Sequence, residues 1–327
     1  MIKKFTLSFL TTTALLATVA TYAADANKAP APPSSEPATL TVEIQIGAGN
    51  ELGEYYKTIV PSINKALTQY GYTAKAVVSA GSQENIDKVM AGEFQAGLSQ
   101  LDVAALNMSK EKDPNEDLLM MGRISPEALF CAVKKDGKIK SYADLTDKQK
   151  AAAIKVTVMG EKSGTAKTLE YLMSLDAALA TANKGLELVY TTDNIKDELL
   201  RLASGNREMV CFVMAPNLEN ETIKAVSTNK DLMFLSFDRE ELAKKARVGE
   251  LQVYDIMEVP AGSKWGLTTK LKTLVTWVSV VVNVKKAEPR LVTALRSVVM
   301  KEDLLPNDSL LGKAKGMMKD LVQMFNK

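Results

Sequence analysis

Residues 46–56 read IGAGNELGEYY. An alternating apolar run leads into them, with Leu40, Val42, Ile44 and Ile46 on one side of the chain; that period is a half-buried strand. A helical spacing leads out, with Tyr56, Ile59, Ile63 and Leu67 on one face. Glycines in such a turn let the backbone approach a ligand, and the free N–H groups of the helix start carry partial positive charge. The arrangement recurs as SAGSQEN, residues 79–85, and as GEKSGTA, residues 160–166. Each follows a strand-like run and opens a helical one. A single turn of this kind is merely a tight connection. Three favour a small anionic ligand, because in an open parallel sheet they lie at the carboxyl ends of the strands, where ligands bind.

The rest of the chain keeps the alternation. Strand-like runs are expected at 40–46, 73–79, 96–100, 118–122, 129–134, 155–159, 186–190, 209–214, 232–237 and 274–284. Helices are expected at 54–69, 83–91, 103–108, 165–175, 194–203, 218–227, 239–246 and 287–300. Gly92 and Gly205 stand where helices end, and Asp102 and Asp193 where helices begin. This order predicts an α/β fold with mostly parallel sheets flanked by helices. Two lobes facing across a cleft would bring the early turns onto the later one. A dinucleotide reading fits poorly. Gly47, Gly49 and Gly53 are spaced one residue too long for the fingerprint, and no acidic residue closes the unit at the ribose position.

The N-terminus carries Lys3 and Lys4, an apolar stretch to Ala20, and small residues before Ala24 and Asn27. Residues 1–26 are read as a secretory signal peptide and 27–39 as a disordered Ala/Pro/Ser-rich tether. About 300 residues remain, enough for two lobes. The expected division is 40–128 with 283–327 as lobe 1, and 129–282 as lobe 2.

Lys plus Arg number 41 and Asp plus Glu 39, interspersed, so no basic stripe invites nucleic acid. There is no histidine, which removes the commonest general base and the commonest metal ligand. No cofactor or metal is expected. Cys131 and Cys211 each sit in an apolar run. An exported chain could oxidise them, but two separate buried thiols are the expectation, since spacing alone cannot place their Cα atoms.

Five segments together resemble one family: IGAGNELGEYY, SAGSQENIDKVMAGEFQAGLSQLDVA (79–104), GEKSGT, LASGNREMVCFVMAPN (202–217) and VYDIMEVPAGSKWGL (253–267). From about residue 42 to 300 the chain resembles the TAXI family of extracytoplasmic solute-binding receptors of TRAP transporters. The resemblance implies a type II periplasmic binding protein, a monomer in the periplasm. It would capture a small carboxylate, of the class of glutamate, glutamine or a related dicarboxylate, or an amino acid. It would deliver this ligand to a sodium-coupled TRAP permease in the membrane. On the matching positions Gly49 and Asn50 border the ligand, and Tyr55 and Tyr56 pack on it or bond it. Ser82 and Gln100 donate from lobe 1, and Ser163, Gly164 and Thr165 receive a carboxylate from lobe 2. Ala48, Asn50, Lys162, Arg207 and Glu208 depart from the family's usual residues. Of these, Asn50 and Lys162 add polarity to the cleft. Replacing Ser163 or Thr165 is expected to weaken the ligand and spare the unliganded protein.

Two other classes compete. A secreted hydrolase would need Lys or a carboxylate as its base. Ser62-x-x-Lys65 matches a serine-acylase pattern, but inside a helix and without its partner motifs. Glu111 with Asp113, and Glu240 with Glu241, read as solvated charge. A ligand sensor or a surface interaction protein would use the same fold with a different output.

Overall fold

The computed structural model of the chain describes residues 41–109, 116–264, 267–301, 303–309 and 311–316. The expected signal peptide and tether lie outside these residues, as do Glu111 and Asp113.

The chain begins with β1 (Val42–Gly47), α1 (Val60–Leu67), β2 (Tyr72–Val77), α2 (Ser82–Ala91), β3 (Ala96–Gln100), α3 (Leu101–Met108) and β4 (Leu118–Met121). There follow β5 (Pro126–Lys134), α4 (Tyr142–Thr146), β6 (Ile154–Met159), α5 (Gly164–Leu175), β7 (Leu186–Thr191) and α6 (Ile195–Ala203). Then come β8 (Met209–Met214), α7 (Glu221–Ser227), β9 (Leu232–Leu235) and α8 (Glu240–Lys245). The short strands β10 (Arg247–Val248) and β11 (Leu251–Gln252) pair with each other. A long hairpin, β12 (Asp255–Lys264) and β13 (Leu267–Asn283), leads to α9 (Pro289–Val299).

The fold is mixed α/β, with helices flanking the sheet. Hydrogen bonding runs in the order β2-β1-β3-β13-β5-β8-β6-β7. Parallel pairing is confined to the two ends, β1 with β2 and β3, and β6 with β7 and β8. The middle is antiparallel, which the alternation of elements did not predict. There β13 runs against β3, β4 and β5, and β5 against β8 and β9. The βαβ units supply the ends, while β13 enters the centre from a hairpin near the end of the chain.

β13 is the common member. Through Trp277 it pairs with β12 and β5, and from Val278 onward with β3 and β4. From Leu274 to Asn283 every residue but Trp277 is buried, as befits a strand covered on both faces. β12 escaped the sequence reading because Pro260 and Gly262 interrupt its pattern. The ladder shifts register between those two residues, and β12 pairs with β13 alone, so a proline without an N–H is tolerated there.

Period-two alternation shapes the core of the second half. Leu129, Cys131 and Val133 face one cluster with Val156, Leu169, Leu172 and Tyr254. Ala128, Phe130 and Ala132 face another with Phe212, Ile223 and Leu199. In the first half Ile59, Ile63 and Leu67 pack with Ile46, Leu98, Val280 and Leu295.

The β5–β8 register sets Cys131 directly opposite Cys211, with Cα atoms 4.1 Å apart, and they form a disulfide. The expectation of two separate thiols is overturned. Pairing across adjacent strands brings together residues 80 apart in sequence, a proximity the spacing could not disclose. Two helix starts are also corrected. Asp102 lies inside α3, whose cap position is Gln100, and Asn194, not Asp193, caps α6 by accepting from the Lys196 N–H. Gly92 ends α2 in the left-handed region, φ 79°.

Candidate functional site

β1, β2 and β6 end beside one another's turns, and the helices that follow start there. Gly49, at φ 73°, turns the chain away from β1. Its N–H donates to Ser79 Oγ at 3.0 Å, and the Ser79 N–H donates back to the Gly49 carbonyl at 3.0 Å. The first two turns are thus tied together. The third approaches from the other half of the sheet. The Gln83 N–H donates to the Lys162 carbonyl at 3.3 Å, and Lys162 Nζ reaches Asp87 at 3.0 Å. A Cβ added to Gly81 would lie 3.3 Å from Ser163 Cα, so the turns are in contact.

Between them is a cavity of about 390 Å3. Of the sequence-predicted residues, Gly49, Asn50, Tyr55, Ser82, Gln100, Ser163, Gly164 and Thr165 line it. Tyr56 does not; it is half-buried and packs on the core of the first half. Both tyrosines begin a single wide helical turn, Tyr55–Ile59, and both pack on that core, but only Tyr55 also reaches the cavity. Such turns recur at functional sites. Asn50 is exposed and its Oδ1 accepts from the Leu52 N–H at 2.8 Å, so part of its polarity is spent on the turn.

The helix starts hold unused donors. Among the described residues, the N–H groups of Ser82, Gly164 and Thr165 have no acceptor. Ser163 caps α5, its Oγ accepting from Ala166 N–H at 3.2 Å. Thr165 Oγ1 accepts from the Val213 N–H at 2.9 Å. Both side chains therefore brace the unliganded protein. Replacing Ser163 removes a cap worth about 0.5–2 kcal/mol, and replacing Thr165 leaves a donor unsatisfied at about 1–3 kcal/mol. The expectation that these changes would spare the unliganded protein is corrected on that ground.

Several lining residues were not singled out in the sequence, among them Asn217, Asn220 and Glu127. Glu127, near the start of β5, is only 6% exposed. Its Oε2 accepts from Tyr55 Oη–H at 2.9 Å and from Gln100 Nε2 at 2.7 Å. Burial pushes its carboxyl up to about 7, against the lowering bonds from Gln100 and Tyr55, with nearby Asp102 adding to the rise. Burial and the charge of Glu127 also raise Tyr55. The sequence signal was a lone carboxylate heading an apolar run, PEALFCAV; starting the strand at Leu129 put it outside.

Asp102 is the second buried acid, behind the cavity. Its Oδ2 accepts from Thr168 Oγ1 at 2.6 Å and from Tyr254 Oη at 2.8 Å. These bonds join α3 to α5 and β13's hairpin approach, across the two halves. Burial pushes Asp102 up to about 6 despite them.

The hydrolase features stand apart. Ser62 and Lys65 border a surface groove on α1, with Lys65 exposed. Glu240 and Glu241 are exposed and paired with Lys244 and Arg239. Among the described residues no group of His, Cys, Asp and Glu could hold a metal ion, and no helix is long and apolar enough to cross a membrane.

A model of the NMT1-like family matches residues 46–300. Solved structures that are similar include the substrate-binding protein of an amino acid ABC transporter, 14% identical, covering 87% of this chain and 100% of that one with a TM-score of 0.44. A TctC solute-binding protein from Polaromonas is 14% identical over 87% of this chain and 98% of that one, TM-score 0.45. A periplasmic binding protein of an arginine transport system from Legionella pneumophila is 10% identical over 87% and 100%, TM-score 0.45.

Proposed function

The chain belongs to the NMT1-like family, and from that premise we propose that it is an extracytoplasmic solute-binding receptor of the TAXI type. Lobe 1, residues 40–128 and 283–327, and lobe 2, residues 129–282, close on a small carboxylate of the class of glutamate, glutamine and related dicarboxylates. The receptor acts in the periplasm, after removal of the N-terminal signal, as a monomer that hands its ligand to a sodium-coupled TRAP permease. It binds and releases; it does no chemistry on the ligand.

The observation that supports this reading is the set of donors around the cavity. Two helices of full length, α2 and α5, start there from opposite halves, and the N–H groups of Ser82, Gly164 and Thr165 are unused. Helix starts favour an anion without a buried Arg or Lys, and none lines the cavity among the described residues. Contacts from both sides of a cleft also give a ligand a preference for the closed arrangement, which is what drives closure.

A thermal-shift screen of small carboxylates and amino acids is the test. A ligand at a hundred times its Kd should add about 2.7 kcal/mol of stability. A screen in which no carboxylate shifts the midpoint sinks the reading.

Gly164 gives a sharper variant. A Cβ there would fall 2.1 Å from Gln100 Oε1, and Gln100 cannot swing away without breaking its bond to Glu127. Alanine suits the first position of a helix better than glycine, so α5 itself keeps its stability. Gly164→Ala should weaken the ligand found in the screen by about ten- to a hundredfold, the equivalent of about 1–3 kcal/mol of overpacking. Calorimetric titration showing unchanged affinity would remove the close approach of the two halves from the binding step.

A further inference from the structure

The cavity holds acids but no cation to balance them. Glu54 and Glu127 line it, and among the described residues no Lys or Arg does. Glu54 spends its Oε2 on Thr58 Oγ1, which donates to it at 2.7 Å. Glu127 is buried, and its two oxygens differ. Tyr55 Oη and Gln100 Nε2 both donate to Oε2. Oε1 has no hydrogen-bond partner among the described residues and is left facing the cavity that Glu127 lines. A buried carboxylate without a cation is costly, and a proton removes that cost. With Oε2 taken by two donors, the proton belongs on Oε1. There the carboxyl becomes a donor toward the cavity. The unused N–H groups of the α2 and α5 starts are close by. Gln100, which bonds Glu127, packs its buried oxygen against Gly164, and its backbone N–H donates to Ser82 Oγ at 3.4 Å.

We propose that Glu127 holds a proton on Oε1 and donates it in a hydrogen bond to the ligand's carboxylate, so that the receptor takes up its anion and a proton together. The inference rests on the carboxylate reading above and adds a condition to it. The proton comes from solvent and returns there when the ligand leaves; no bond of the ligand changes. An O–H donor to a carboxylate makes one of the stronger hydrogen bonds, whereas an ionised Glu127 would set like charge against the ligand. Burial already raises Glu127 to about 7, against lowering bonds from Gln100 and Tyr55, and a bound anion raises it further. The groups around Glu127 leave it as the one that titrates against the ligand. Asp102, from α3, adds to the rise but lies behind the cavity, bonded to Thr168 and Tyr254. Tyr55 is raised well above the ordinary phenol range and stays neutral. The strands paired with β5 there, β13 and β8, present Thr276 and Met214. Ser82, Gly164 and Thr165 carry no charge, and Lys162 in the third turn is exposed and paired with Asp87.

Titration calorimetry of the full-length mature protein with L-glutamate, L-glutamine, glutarate and succinate tests it. The carboxyl groups of all four are ionised between pH 6.5 and 8.5, so a tenfold change over that range belongs to the protein. Whichever of them binds should do so about ten times or more weaker at pH 8.5 than at pH 6.5, since affinity falls about tenfold per pH unit above the unliganded value of Glu127. Titration at pH 8 in phosphate and in Tris, whose heats of ionisation differ, should show about one proton taken up per ligand bound. That count is read on wild type and does not depend on any variant folding. Glu127→Gln carries a permanent donor where the proton sat and keeps an acceptor for Tyr55 and Gln100. It should flatten the profile and bind about ten times tighter than wild type at pH 8.5. Tyr55→Phe removes a donor to the ionised form and should move the fall to higher pH. A ligand that binds wild type equally at both pH values, with no proton taken up, overturns the role of Glu127 and leaves the carboxylate reading standing. So does a fall that Glu127→Gln retains, or an affinity that rises with pH. Absence of binding by all four at pH 6.5 overturns both.

Discussion

Replacing Cys131 and Cys211 together by alanine is expected to lower the stability of the protein by about 4 kcal/mol. The bond closes a loop of 80 residues, and the chain-entropy relation for a loop of that length gives roughly 4.5 kcal/mol at 25 °C. The native structure offers little relief to set against this. Both cysteines are fully buried, and the strands they join are already in register through the β5–β8 ladder, with Phe130 stacked on Phe212 at 5.6 Å on the opposite face. The cross-link therefore acts chiefly on the unfolded chain. Urea unfolding of the double alanine variant, beside wild type with and without reductant, measures the effect. Binding at the cavity should be unchanged, because neither sulfur reaches it. A loss under about 1 kcal/mol would mean that the reduced, unfolded chain already keeps those strands close.

Stability is also expected to fall as pH rises from about 4 to about 7, the reverse of ordinary acid denaturation. Glu127 and Asp102 both have carboxyls raised by burial, to about 7 and about 6 from 4.5 and 3.8. Between the unfolded and folded values the folded protein holds protons that the unfolded chain has lost, so the linkage slope is negative there. The stabilisation is complete below about pH 4 and gone above about pH 7. Shifts of this size correspond to on the order of 3 kcal/mol for each group. An opposing group bounds the window from below. Burial would raise Glu198, but bonds from Arg207 and Thr191 and the charges of Arg207 and Arg201 hold it below its usual range. Its contribution is lost as pH falls through that lowered value. A maximum near pH 4–5 is the expected result. Urea midpoints at pH 4.5, 6 and 8 should show it, and Glu127→Gln should remove a share of the slope. A wild-type midpoint that is flat or rising from pH 5 to 7.5 would contradict the burial of these acids.

What could be read in the sequence was what local chemistry decides. The three turns were legible because Gly49, Gly81 and Ser163 announce a strand end and a helix start within a few residues, and all three border the cavity. Strands β3 and β8 fell where their apolar runs placed them. What escaped depends on contacts distant in sequence. Tyr55 and Tyr56 look alike in sequence, and what tells them apart is the bond from Tyr55 to Glu127, 72 residues away. Glu127 and Asp102 resemble surface acids until β13, α5 and Tyr254 close over them. The disulfide needed the β5–β8 register, and the antiparallel centre needed a hairpin whose first strand is broken by Pro260.

The place of β13 has a consequence for how the molecule is made. A strand near residue 280 completes the sheet on both sides, so neither half can finish its hydrogen bonding until most of the polypeptide has been synthesised. Its pairings with β3 and β4 join residues more than 150 positions apart, and such distant contacts make folding slow. A nascent chain therefore stays without its keystone for the greater part of translation. That delay exposes the strand edges of β3 and β5 to chaperones in the meantime.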